Sequence, residues 1–241
     1  FDRDTQKFII GLGKVICEIW DQPDNGIWEI RSQLLHHTHS KVMCWVGLDR
    51  LIKLCEKYQW HEAPLDQFRQ TSMAIRREVE ASGFDDTLGA YVAARGSVNV
   101  DASSLTFSLV GYAKFDSPRM MSTVDAVCRQ LLDRNMVYRY KGIDDGIAGS
   151  EGAFALCNFW LVENLARSGS LQQARRIFEA TISCMGSVGL LSEEIDPATT
   201  KLLGNYPQAF THIGLVNAAL AINEEQAKLE TKQRDNIILQ K

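Results

Sequence analysis

Apolar positions recur three or four residues apart in one segment after another, and strict alternation over strand lengths is nearly absent, so the pattern predicts helices rather than a sheet. The spacing places them near residues 4–19, 40–58, 65–82, 102–114, 120–134, 152–168, 171–185 and 208–223. Several ends carry boundary residues. Ser40 precedes the stripe Cys44, Leu48, Leu51, Cys55; Ser170 precedes Leu171; Gly169 and Gly186 follow helices as stops. Two kinds of helix can be told apart. Residues 153–166 (AFALCNFWLVENLA) are apolar almost all round and must be enclosed, whereas 171–182 (LQQARRIFEATI) and 65–81 carry one charged face. The result is an all-α, layered arrangement, with inner helices wrapped by outer amphipathic ones, as in a helical double ring.

Composition narrows the function classes. The 241 residues carry 26 basic and 30 acidic side chains, a formal charge of −4, without a Lys/Arg cluster, so the electrostatic footprint of a nucleic-acid binder is missing. No apolar stretch reaches the roughly 18 to 20 residues a membrane span needs. Cys17, Cys44, Cys55, Cys128, Cys157 and Cys184 form no CxxC pair and sit among apolar residues, which reads as free thiols acting as small hydrophobes. The run His36-His37-Thr38-His39 reads as surface loop or helix cap, since no HExxH-type spacing accompanies it; no metal site is expected. Unpaired thiols, with no charged-then-apolar opening segment, lead to the expectation of a cytoplasmic protein.

Polarity and glycine gather in three loops, at residues 21–31, 138–152 and 189–214. If inner and outer helices alternate, these loops emerge at one end of the ring and converge there, and long loops of this kind tend to carry function. Trp28-Glu29 in the first and Glu193-Glu194 in the third lie about 160 residues apart, each among aromatic or apolar neighbours. Glycoside cleavage needs such a pair: one carboxyl is kept protonated to donate to the leaving oxygen, and another is ionised to activate water or attack. Indole faces suit the apolar face of a pyranose, and Arg31, Arg139 and Gln208 offer hydrogen bonds to sugar hydroxyls. Loop glutamates are solvated surface more often than catalysts, so the bare constellation is weak.

Four strings in this order, DQPDNGIWEIRS, HTHSKVMCWVGLDR, EGAFALCNFWLVENLARSG and GLLSEEIDPATTKLLGNYPQAFTHIGLVNAAL, resemble the carboxyl-terminal part of glycoside hydrolase family 15, the glucoamylase-type family that includes prokaryotic trehalases and glucodextranases. The similarity runs from about Asp21 to Asn223. It implies an (α/α)6 barrel and inverting hydrolysis of terminal α-glucosyl bonds without metal or organic cofactor. The glutamate after tryptophan in the family's first motif is its general acid, which implies that role for Glu29. The first glutamate of its SE motif is the general base, here Glu193 after Ser192. The arginine of its RY motif contacts the innermost sugar, matched by Arg139-Tyr140, and Trp28 resembles a wall of the same pocket. Asp24, Lys41, Glu151 and Gln208 fall inside matching strings and are implied to line the pocket. Fungal members read WEE where this chain has Trp28-Glu29-Ile30, so the second carboxylate there is absent.

The resemblance starts at about the fourth or fifth of the family's twelve helices. Residues 1–241 are therefore expected to form one partial barrel of about eight helices, lacking the first two helix pairs and the arginine–aspartate motif they carry. Exposed apolar inner-helix surface is expected in consequence, with the amino-terminal part of the same protein as the missing partner; what the complete protein does is thus separate from what the isolated chain does, and the activity of the latter stays open. Maltooligosaccharide, starch-type glucan and α,α-trehalose are the candidate substrates, with a glucoamylase-like activity first and a trehalase as its alternative. Two other classes compete. A non-catalytic helical binding scaffold would show a groove without convergent carboxylates, and a magnesium-dependent prenyl or terpene enzyme would need more than the isolated pairs Asp85-Asp86 and Asp144-Asp145.

Overall fold

The periodicity is realised as eight α-helices among the described residues, 1–142 and 151–239, of a computed structural model: α1 (Arg3–Ile19), α2 (Thr38–Tyr58), α3 (Leu65–Ser82), α4 (Thr106–Leu109), α5 (Pro118–Leu131), α6 (Ala155–Arg167), α7 (Leu171–Ile182) and α8 (Ala209–Leu239). Asp144-Asp145 and most of the loop after Gly142 lie outside the described residues. Helix α6 is buried along nearly its whole length and packs against both α7 and α8, while α2 packs on α3 and α1 lies across both. That matches what an all-round apolar helix requires: amphipathic neighbours on every side.

Several boundaries differ from the sequence pattern by two or three residues, as at both ends of α5 and the start of α6, and a few differ in kind. Residues 102–114 are not one helix but a 3-10 turn, Ala102–Leu105, running into the single turn of α4. The hydroxyls of Ser104 and Thr106 donate to the carbonyls of Asp101 and Ser103, and such local bonds compete with helix extension. Helix α2 starts at Thr38 with His37 as its N-terminal flank, because the Ser40 hydroxyl donates instead to the Asp24 carboxylate at 2.7 Å. His37 is accordingly buried at 5% exposure and not on a surface loop. Helix α7 stops at Ile182, ahead of Gly186, and α8 continues past residue 223 to Leu239 on a run rich in Glu, Gln, Lys and Leu, all good helix formers.

Seven two-residue strands link the helices among the described residues: β1 (Phe84–Asp85), β2 (Ala90–Tyr91), β3 (Leu132–Asp133), β4 (Met136–Val137), β5 (Ala153–Phe154), β6 (Glu194–Ile195) and β7 (Leu202–Leu203). The three-stranded β5-β6-β7 unit is the one that joins distant loops. Its antiparallel register pairs Phe154 with Glu194 and Glu194 with Leu203, which brings the loop before α6 alongside the loops before α8.

The two outermost helices each leave an apolar stripe uncovered. On α1, Phe8, Leu12, Val15 and Ile19 recur every three to four residues at 47–66% exposure; on α8, Phe210, Ile213, Val216 and Leu220 do so at 52–63%. Isolated exposed apolar residues are ordinary, whereas two stripes at helical spacing are continuous apolar faces of the kind that mark an interaction surface.

Within α6, Glu163 is buried at 8% exposure, and burial pushes its carboxyl up to about 7 while Arg167 pulls the other way. The folded chain thus holds a proton that the unfolded chain releases near 4.5, so stability falls as pH rises through that interval. Glu163→Gln is expected to change the melting temperature little at pH 4.5 and to raise stability at pH 8 by up to about 3 kcal/mol. Equal shifts at the two pH values, measured by thermal denaturation, would contradict this.

Candidate active site

The first loop is closed by a backbone bridge in which Asp24 and Leu35 exchange N–H···O bonds of 2.9 and 3.0 Å. Behind it, the Asp24 carboxylate accepts from the Gly26 N–H at 2.6 Å as well as from Ser40, and the Lys41 amine donates to the Gln22 carbonyl. Gly26 turns at φ +68° with the His37 ring 2.9 Å from where a Cβ would stand, so only glycine fits. The chain then lifts Glu29 out at φ 55°, a left-handed conformation uncommon for a side-chain-bearing residue, while Ile30 is anchored in the core at 2% exposure. Such outliers persist where surrounding structure enforces them. Here the enforcement is the Glu29 N–H to Gly26 carbonyl and the Ile30 N–H to Asn25 carbonyl. Glu29 is exposed.

Trp28, one residue back, points inward. Its indole N–H donates to both carboxylate oxygens of Asp101 at 2.9 Å, and its ring packs edge-on against Phe154 and, at 6.3 Å, near Trp160 of α6. The Arg139 guanidinium sits 5.6 Å from the Trp28 ring centre, 5.4 Å from that of Tyr140 and 5.3 Å from that of Phe154, within cation–π range of all three. Its Nε pairs with Glu151, and its terminal nitrogen lies 3.6 Å from the Glu194 carboxylate. Loops one, two and three therefore do meet, around one arginine.

Glu193 and Glu194 are consecutive on an extended segment, so their side chains leave it on opposite sides. Glu194 faces Arg139 and accepts from the Gly152 N–H at 3.1 Å; burial and the neighbouring Glu193 push its carboxyl up, against the pull of Gly152 and Arg139. Glu193 is half-buried and held otherwise, by the Asn205 N–H at 3.1 Å and the Gln208 amide at 3.4 Å. Gly204, at φ +70°, passes so close that a Cβ would stand 2.8 Å from the Glu193 carboxylate.

Of the residues named from sequence, Trp28, Arg139, Tyr140 and Glu151 are thus gathered in one cluster, and Gln208 stands on Glu193. Arg31 is exposed on the first loop, and the Lys41 amine supports that loop from behind. Sequence reasoning gave no role to Asp101 or Phe154, or to Glu194 beside its neighbour. For Asp101 the local signal is the Asp-Ala-Ser-Ser string of a helix start, which says nothing of the tryptophan 73 positions away. Among the described residues, no three His, Cys, Asp or Glu side chains gather as metal ligands.

The fold and the site define the class: a helical toroid, open at its edges, whose loops assemble carboxylates around an arginine–indole platform. The chain belongs to glycosyl hydrolases family 15, whose model matches residues 1–220. It is 41% identical over 212 residues to the trehalase of Mycolicibacterium smegmatis, a match that covers 86% of this chain and 31% of that protein. The chain thus spans about a third of the length of such relatives. Among solved structures it is similar to a wild-type glycosidase (TM-score 0.73, 22% identity, 86% of this chain and 57% of that one). It is also similar to the Saccharomycopsis fibuligera glucoamylase (TM-score 0.71, 10% identity, 89% and 60%). Those likenesses establish the (α/α)6 barrel fold, of which this chain provides part.

Proposed function

We propose that this chain is the carboxyl-terminal part of an inverting glycoside hydrolase that splits α,α-trehalose into two glucose molecules. Glu29 is the general acid, protonating the glycosidic oxygen. Glu193 is the general base, drawing a proton from the water that attacks the anomeric carbon from the opposite face. Inversion leaves room for that water, so the two carboxyls stand roughly 6.5–9.5 Å apart in the working enzyme. Arg139 holds the hydroxyls of the glucose being cleaved, and Trp28 forms a wall under its apolar face. The observation that carries this reading is the Arg139 guanidinium, enclosed by three aromatic rings and tied to Glu151 and Glu194 at the junction of the three loops.

Trehalose is preferred to starch-type glucan or maltooligosaccharide because the relative matched at 41% identity is a trehalase, whereas the glucoamylase likeness is at 10%. A purely structural scaffold finds no support in a half-buried arginine set between two carboxylates at the meeting point of three loops. The apolar stripes of α1 and α8 support completion of the ring by the first two helix pairs, supplied by an amino-terminal part of the same protein. Activity is expected only once that surface is covered.

The test is glucose release from trehalose, maltose and soluble starch by the chain as it stands and joined to an amino-terminal segment supplying those helix pairs, with the anomers followed by NMR. Trehalose is expected to give one β-glucose for each α-glucose at the earliest times. Two α-glucose molecules would mean retention and overturn the roles given to Glu29 and Glu193. Preferential cleavage of starch would move the substrate to α-1,4-glucan.

A further inference from the structure

Asp101 stands at the junction of two of the loops and belongs to neither. Its side chain is 4% exposed, with both oxygens 2.9 Å from the Trp28 indole nitrogen and one also accepting the Ser103 N–H at 2.7 Å. The next residue, Ala102, donates its backbone N–H to the Arg139 carbonyl at 2.9 Å. Two adjacent residues therefore grip the tryptophan that precedes Glu29 and the arginine that stacks on that tryptophan. The other titratable groups near the carboxylate are His37, whose buried Nε2 has no partner, and the buried thiol of Cys157. Burial pushes the Asp101 carboxyl up, opposed by the N–H groups of Ser103 and Trp28. A carboxylate withdrawn from water and occupied by an indole N–H is a costly way to cap a four-residue turn, since a serine would serve there.

We propose that Asp101 is a positioning residue: it fixes the plane of the Trp28 indole against Arg139 and, through the chain, the placement of Glu29. The inference rests on the glycosidase reading for its effect on rate, but not for the contact itself. Displacement of a reacting group by about 1 Å can cost about a hundredfold in turnover, which sets the scale expected here.

The experiment is a cycle of Asp101→Asn, Trp28→Phe and the double variant, in the chain joined to its missing helix pairs. Asparagine keeps the size of the side chain and one acceptor for Ser103. Asp101→Asn is expected to lower kcat about ten- to a hundredfold. The double variant is expected to match Trp28→Phe within about twofold, because the phenyl ring has no N–H for Asp101 to hold. Multiplicative losses would mean that Asp101 only caps the 102–105 turn and would overturn the proposal. A second measurement needs no activity. The Trp28 indole N–H, identified in 15N–1H spectra of the chain by its loss in Trp28→Phe, is expected to shift upfield and exchange faster in Asp101→Asn. An unmoved resonance overturns the contact. If the completed enzyme releases no glucose from trehalose, maltose or starch while that resonance does move, the glycosidase reading fails and the contact stands.

Discussion

Glu193→Gln is expected to lower the hydrolysis of trehalose by about a thousandfold or more in the completed enzyme, while leaving the melting temperature within a few degrees. A general base contributes roughly 10²–10⁴-fold, and its amide isostere cannot take the proton of the attacking water. The fold should tolerate the exchange. Glu193 is half-buried; the Asn205 N–H donates to one of its oxygens and the Gln208 amide to the other, so glutamine keeps the first bond and the Gln208 amide turns its oxygen toward the new NH2. The informative comparison is with its neighbour. Glu194→Gln removes the charge facing Arg139 and is expected to act mainly on KM, by loosening the arginine that holds the sugar. If Glu194→Gln abolished turnover and Glu193→Gln retained it, the base would have been assigned to the wrong side of the strand.

Asn158→Leu is expected to destabilise the chain by about 3 kcal/mol or more. Asn158 is fully buried in α6, where its amide donates to the Asn135 carbonyl at 2.9 Å and the Thr181 hydroxyl at 2.8 Å, while its oxygen accepts the Val137 N–H at 2.7 Å. Leucine fits the volume but leaves the buried Val137 N–H without an acceptor and takes a donor from the buried Thr181 hydroxyl and the half-buried Asn135 carbonyl, and each buried group so deprived costs about 1–3 kcal/mol. For a chain of this size the melting temperature is expected to fall by about 6–12 °C. A drop of less than about 2 °C by calorimetry would show that water reaches the turn before β4 and replaces the side chain.

Asn158 and Asn164 illustrate how sequence and structure divide the account. Both sit in a segment whose apolar periodicity correctly marks an enclosed helix, yet nothing in that pattern reveals that one asparagine pins the β3–β4 turn and the other binds Ser108 and the Leu105 carbonyl. The candidate site divides the same way. Trp28, Glu29, Arg139, Glu193 and Gln208 stand out through motif strings, whereas Asp101 carries no sign of its tie to Trp28.

Most helix positions and the enclosed character of α6 follow from the order of apolar and polar residues, because helical period is a local property of the chain; the exposed apolar faces are implied by the resemblance to a longer barrel, not by that order. The tertiary structure alone decided that Asp101 reaches Trp28, that Arg139 meets Glu194, and that Glu193 turns the other way toward Gln208. Those contacts join residues tens of positions apart. They depend on strand register and on which side of a short strand each carboxylate leaves, and a one-residue shift would exchange the two faces.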